Sequence, residues 1–318
     1  VATPNPAPTK VAIAIITHRR PDQLKALLES LDGQRLAEPS AYDVRIVVVD
    51  NDAEGSAEDV VAAAAKEAEA KGGYPITFTV EPEPGIPFAR EMSVRMCWDD
   101  DALIFVDDDE VAPPGWLDKL LTAWRETGAD VVTGPVRGLI PDGAPDWNRH
   151  SDVHDSTGRR RTGVQVDKAY TNNTLVAQRV YHQITPAFHP AFRYSGSSDL
   201  HFFLRVHRAG FRIVWCEEAV ITEEVPLSRT TLRWLMRRAF RSGSGDTISR
   251  RLIRPGAASY LHTIGLAGAR VVSGAGYLLG GMVLVRKRYL IKGFRRFFSG
   301  VGSFAGLVGV NYDEYKRA

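Results

Sequence analysis

The stretch ALIFVDDDEVAPPGW, residues Ala102 to Trp116, decides how the rest of the chain is read. Its first half, Leu103-Ile104-Phe105-Val106, is apolar at consecutive positions, as in a strand buried on both faces. Three aspartates, Asp107, Asp108 and Asp109, follow without a break, and Pro113-Pro114-Gly115 punctuates the end. Adjacent carboxylates repel, so the run is costly unless a cation or solvent answers it. Two readings stay open from these residues alone: a solvated acidic loop or helix cap, and a loop that holds a hard divalent metal through carboxylate oxygens.

Working outward, the same order recurs. KVAIAIITHRRPDQLKALLESLDGQ, from Lys10, is a β-branched run, a polar turn, then leucines at helical spacing (Leu24, Leu27, Leu28, Leu31). From Tyr42, Ile46-Val47-Val48-Val49 reads as a second buried strand, followed by an Ala/Glu-rich helix closed by Gly72-Gly73. ITFTVEPEPGIPFAREMSVRMCW, from Ile76, adds a third strand, a Pro/Gly loop and a helix. Strands alternating with helices predict an α/β, Rossmann-like, mostly parallel sheet with ligands outside the carboxyl ends of its strands, where Asp50-Asn51-Asp52 and the triple aspartate both fall. Beyond Trp116 the pattern predicts a helix over Leu117–Glu126, one strand in DVVTGPVRGLI, and a long mobile loop from Pro141 to about Lys168. SGSSDLHFFLRVHRAGFRIVWCEEAVITEE then reads as helix and strand.

At 318 residues, 44% hydrophobic and 25% charged, the chain buries a full core, which excludes a disordered tail. Two well-separated cysteines, Cys97 and Cys216, suit core filling in a reducing compartment better than a disulfide scaffold. VATPNPAPTK lacks an apolar run, so residues 1–10 are expected to be a flexible leader. The net charge of +2 hides an asymmetry: from Arg229 onward 17 Lys/Arg face 3 Asp/Glu, or +14, which leaves −12 on the first 228 residues. Ala257 to Val285 carries only Arg270. It is long enough to span a bilayer, but Arg270 divides it, glycines recur, and Arg286-Lys287-Arg288 and Arg295-Arg296 interleave with aromatics. Helices lying in an anionic membrane surface are expected, with the protein peripheral on the cytoplasmic face of the cell membrane. No nucleic-acid partner is expected.

The segments IAIITHRRPDQLKALLESL, IVVVDNDA, PGIPFARE, LIFVDDDEVAPPGWL, TNNTLV, GSSDLHFFLRVHRAGFRI and EEAVITEE run in the order found in family 2 glycosyltransferases. The chain resembles that family over roughly residues 10–243. The resemblance implies a GT-A fold over residues 11–228, with a donor-binding half to about 138 and an acceptor-binding half over 139–228, followed by a helical extension over 229–318. It also implies inverting transfer from a nucleoside diphosphate sugar of UDP or GDP type to a glycan or polyprenyl-linked acceptor, with Mn2+ or Mg2+ assisting.

Residue by residue, Asp107 and Asp109 match the first and last positions of the family's DXD motif and would hold the metal, with Asp108 beside the donor. Asp50, Thr17 and Arg19 would line the nucleotide pocket; helix capping is the alternative for Thr17 and is preferred for Asp22. Arg90 matches the arginine of the family's ARN stretch, but Glu91 stands where asparagine is usual. Direct displacement needs a base for the acceptor hydroxyl, and Asp199 matches the aspartate of the ED motif; a helix cap is the alternative. Ser198 replaces the acid that usually precedes it. Asn172, Asn173 and Ser198, with Arg237, Arg238 and Arg241 of a basic helix, are candidate acceptor or phosphate contacts. Glu223-Glu224 fall where many relatives carry a histidine near the metal, and His189, His201 and His207 are given no role. These departures favour a rival, a catalytically inactive nucleotide-sugar-binding assembly subunit. A nucleotidyltransferase is least favoured, for want of a Gly-rich, Lys-containing phosphate loop.

Overall fold

The structure is a computed structural model that describes residues 7–149, 151, 153–155 and 160–310. Of the expected leader, residues 1–6 lie outside the described residues, as do 150, 152 and 156–159 of the loop expected to be mobile. The chain forms two compact units: Val1–Arg137, Thr157–Phe188 and Val206–Glu223 in the first, and Gly138–Ser156, His189–Arg205 and Glu224–Ala318 in the second. The chain leaves the first unit after Arg137 and returns to it twice, so the units do not follow a linear split.

In the first unit, β1 (Thr9–Thr17), α1 (Pro21–Asp32), β2 (Tyr42–Asp50), α2 (Glu58–Lys71), β3 (Ile76–Val80), α3 (Ile86–Met96) and β4 (Ala102–Asp107) alternate as predicted. Pro21 opens α1, and Leu24, Leu27, Leu28 and Leu31 form its buried face. Gly72 ends α2 at φ +65, a left-handed conformation that costs glycine no Cβ clash. The two-residue β5 (Glu110–Val111) leads to α4 (Trp116–Thr127), β6 (Val131–Thr133) and β7 (Val136–Leu139). A single strand was expected across this last stretch. It breaks at Gly134-Pro135, where Pro135 has no N–H and a Cβ on Gly134 would meet the Asn173 amide at 2.6 Å.

After β8 (Thr174–Ala177), α5 (Gln178–Gln183) and α6 (Ser198–Arg208) come β9 (Ile213–Trp215) and β10 (Ile221–Glu224). The main sheet has the order β3-β2-β1-β4-β8-β6-β9. It is parallel from β3 to β4 and again between β6 and β9; only β8 runs antiparallel to both of its neighbours. Val11, Ile13, Ile15, Ile46, Val48, Ile104 and Val106 are almost wholly buried in one core with the α1 leucines. Cys97 and Cys216 are buried free thiols, as expected, and burial pushes Cys97 up to about 12.

In the second unit, α7 (Leu232–Ile253), α8 (Ala257–Val283) and α9 (Lys287–Leu307) form the helical extension, with α9 packed along both of the others. Small residues permit the close approach. A methyl on Gly302 would overlap the Phe240 carbonyl, and one on Gly243 the Ser299 carbonyl. Arg270 does not divide the outer face of α8, as expected from the sequence, because it turns inward: it donates to Asp246 at 2.9 Å and to the Ser303 hydroxyl at 2.8 Å. Leu261, Val272, Leu279 and Val283 are left 62–81% exposed. By length and composition α8 is sufficient to cross a membrane.

Candidate active site

The carboxyl ends of three neighbouring strands meet at one edge of the main sheet. Thr17 pairs in register with Asp50 across β1 and β2, and Ile16 with Asp107 across β1 and β4. Buried Gln34 fixes the loop after β4: its amide nitrogen donates to the carbonyls of Ala112 and Pro113, and its oxygen accepts from the Leu117 amide. The aspartates are thereby tied to the start of α4.

Each aspartate of the triplet has different company. The Thr17 hydroxyl donates to Asp108 at 2.8 Å, and Arg20 donates to Asp108 at 2.9 Å and to Asp109 at 3.0 Å. Arg90, almost buried, lies 3.5 Å from the Asp107 carboxylate and faces the Phe188 ring at 5.9 Å. The Asp107 amide donates to one oxygen of Glu110, while the other oxygen of that glutamate, buried, has no hydrogen-bond partner. Glu223 stands directly opposite Glu110 across β5 and β10.

Five carboxyl groups thus gather around two arginines. Loss of water pushes Asp107 up to about 7, and repulsion from Asp109, Asp108 and Glu223 adds to it against the pull of Arg90. Burial also raises Glu110 well above the ordinary glutamate range, with Asp107 the next contributor. Burial raises Asp108, with Arg20 opposing. The surplus of negative charge is the defining property of the site.

Several expected contacts are used otherwise. Asp50 is fully buried and accepts from the amides of Asp52 at 2.9 Å and Ala57 at 2.8 Å and from the Ser56 hydroxyl, so it ties its own loop. Asn51 likewise holds the loop before α3, donating to the carbonyls of Glu81 and Glu83 and accepting from the Gly85 amide. Arg19 sits at φ +52 with its side chain 60% exposed and donates to Asp52, which it holds down at about 2. Asp22 lies in the first turn of α1 and makes no cap, and Thr17 serves Asp108 instead of a helix end. Asn173 is buried at φ +56, accepts from the Trp116 indole and donates to the carbonyls of Pro135 and Ala219; its amide is committed to joining β8 to α4 and is not a ligand contact. Asn172 is half-buried beside it.

Glu91, the departure from the family's asparagine, accepts from the Phe188 amide at 3.0 Å and so fixes backbone rather than a ligand. Arg20 and Glu110 were missed from sequence. Arg20 carries a signal only in the pair Arg19-Arg20 before Pro21, because its partners lie 88 and 89 residues away.

Asp199, Ser198 and the basic residues of α7 belong to the second unit. Asp199 is partly exposed in the first turn of α6, whereas Ser198 is fully buried. The residue before them, Ser197, is seated against Gly245 of α7, where a methyl would overlap its hydroxyl. Arg237 and Arg238 are exposed, the latter 5.0 Å over the Trp234 ring, and Arg241 is partly buried.

Residues 12–185 match the family model described as glycosyl transferase family 2. The chain belongs to glycosyl transferase family 2. It is 36% identical over 241 residues to the succinoglycan biosynthesis protein ExoM of Rhizobium meliloti, a match covering 73% of this chain and 72% of ExoM. Its fold is similar to the mannosyltransferase PcManGT of Pyrobaculum calidifontis, solved with GDP-Man and Mn2+ (TM-score 0.61, 16% identity, 94% of this chain and 87% of that one). It is also similar to S. aureus TarS 1-349 in complex with UDP-GlcNAc (TM-score 0.55, 12% identity, 96% and 93%). The family 2 chain therefore has the GT-A fold and is a glycosyltransferase.

Proposed function

We propose that this glycosyltransferase moves a hexose, with inversion, from a UDP- or GDP-linked donor to a glycan or polyprenyl-linked acceptor. The observation that carries the reading is the surplus of carboxylate at the end of β4. A divalent cation, Mn2+ or Mg2+, fits that surplus. Asp107 and Asp109 would supply two oxygens, the unpartnered Glu110 oxygen adds negative field, and donor phosphates and water complete the shell. Among the described residues no group of three or more His, Cys, Asp or Glu is arranged to hold a metal by itself, as suits a cation shared with a substrate. When bound, the cation neutralises charge that develops on the departing diphosphate. Arg20 and Thr17 hold Asp108 and Asp109 in place, and Arg90 orients Asp107.

In the transfer itself an acceptor oxygen forms a bond to the anomeric carbon as that carbon's bond to the diphosphate oxygen breaks. Asp199 takes the acceptor's hydroxyl proton. The inactive-subunit rival drew on Glu91, Ser198 and Glu223. The first fixes backbone and the second is buried, which supports the enzyme reading over that rival. The second unit is proposed to lie on the cytoplasmic face of the cell membrane through the apolar outer face of α8 and the exposed Arg286, Lys287 and Arg288 at the start of α9, each basic side chain contributing about 1 kcal/mol at an anionic surface. Similarity to a succinoglycan biosynthesis protein supports a glycan product.

Asp199→Asn keeps size and hydrogen bonding but cannot accept the proton. Turnover is expected to fall about a hundredfold or more with donor affinity unchanged. Near-normal turnover in that variant would remove Asp199 as the base.

A further inference from the structure

At the corner where α7 gives way to α8, the helical unit carries a groove of about 860 Å3. Ile248, Leu252, Tyr260 and Leu261 give it an apolar lining, and the charged residues that line it among the described residues, Arg251 and Arg254, are both positive. Pro255 and Gly256 make the corner. Gly256 adopts φ +130, where a side chain would be strained, and that freedom lets the chain reverse.

The two arginines do different things. Arg251 donates to the carbonyls of Leu307 at 2.6 Å and Gly306 at 3.3 Å, which closes the end of α9, and its guanidinium lies 5.9 Å over Tyr260. The Arg254 side chain, exposed, has no hydrogen bond or ion pair among the described residues. An unanswered cation therefore stands on the wall of an apolar groove. Leu252 and Leu261 are 45% and 67% exposed, and the apolar surface runs on from Leu261 along the outer face of α8 through Ile264 and Val272. Such a surface fits a ligand that is apolar along its length and anionic at one end.

We infer that this groove holds the lipid phosphate of the acceptor. The chain of a polyprenyl diphosphate lies along Leu252, Tyr260 and Leu261, and its phosphate oxygens pair with Arg254. The inference rests on the reading of a lipid-linked acceptor given above. A volume of about 860 Å3 is room enough for part of one lipid chain. Charge complementarity agrees, since among the described residues both charged side chains that line the groove are cationic. The site is distinct in chemistry from the carboxylate cluster, which repels a phosphate unless a cation intervenes.

The test is binding of geranylgeranyl diphosphate to the full chain in chelator, so that the carboxylate site is silent, measured by calorimetry in a neutral detergent. The parent is expected to bind. Arg254→Gln and Leu252→Asn, both at exposed positions, are each expected to weaken binding about tenfold or more, the equivalent of losing one charge-assisted contact or one apolar wall. Inorganic diphosphate is expected neither to bind nor to compete. Parent-like affinity in both variants overturns the proposal, and so does equal displacement by phosphatidylglycerol vesicles, which would assign the groove to the bilayer surface. Nucleoside diphosphate binding in Mn2+, measured on the same proteins, keeps the two readings apart. Intact nucleotide binding without lipid binding defeats the groove alone; lipid binding without nucleotide binding defeats the donor reading and leaves the groove standing.

Discussion

Two clusters of charge, one in each unit, are built on opposite plans. At the end of β4, Asp107, Asp108, Asp109, Glu110 and Glu223 outnumber Arg20 and Arg90, and Asp107 and Glu110 are forced toward their protonated forms. Between the long helices, Asp246 has Arg250 at 3.0 Å and Arg270 at 2.9 Å, and Arg270 is finished by Ser303. The second cluster is satisfied within the protein and makes architecture. The first has charge left over, and charge left over in a folded protein is a demand for a ligand. The same residue types thus serve stability or binding according to whether the fold answers them.

That contrast is broken most forcefully at the satisfied cluster. Asp246→Ala leaves Arg270 without its carboxylate between three helices. A loss of about 3 kcal/mol is expected, the low end of what removing one partner of a buried pair costs, because Arg270 is 28% exposed. Urea unfolding of the parent and variant measures it; a difference under about 0.5 kcal/mol, the range of ordinary surface substitutions, would make the helical cluster as incidental as an exposed ion pair.

Legibility from sequence followed the same line between local and distant causes. β1, β2 and β4 were readable because strands buried on both faces must be continuously apolar, and α1 because its four leucines share one face. The antiparallel insertion of β8 was not, since the residues that choose its neighbours are far along the chain. The triple aspartate was conspicuous, yet its surplus depends on Glu223, which approaches only through β10. Asp50 stands out in sequence as the end of a buried strand, whereas its hold on the amides of Asp52 and Ala57 is set by how the following loop folds. Arg270 looked like an interruption of an apolar face because Asp246, 24 residues earlier, gives no local sign that it will turn the arginine inward.

A smaller effect sharpens the comparison at the rim of the acidic site. Asp52 is held at about 2 by Arg19, below the ordinary value of 3.8, so its contribution to stability is present above about pH 4 and lost as pH falls toward 2. Arg19 is mostly exposed, so solvent screens the pair and its contribution is small. Asp52→Asn is therefore expected to be slightly less stable than the parent at pH 6, with the gap closing between pH 4 and pH 2 in urea titrations. A gap that stays constant with pH would mean that the carboxylate charge contributes nothing there.

The carboxylate cluster at the end of β4 is proposed to bind a divalent cation together with a nucleoside diphosphate. Calorimetric titration of UDP and GDP into the parent and into Asp109→Ala, with Mn2+ and with chelator, tests it most directly. For the nucleotide that serves as donor base, the parent is expected to bind about tenfold or more tightly in Mn2+ than in chelator, and the variant to show the same weak affinity in both. Metal-independent binding in the parent, or an undiminished Mn2+ effect in Asp109→Ala, would contradict the account.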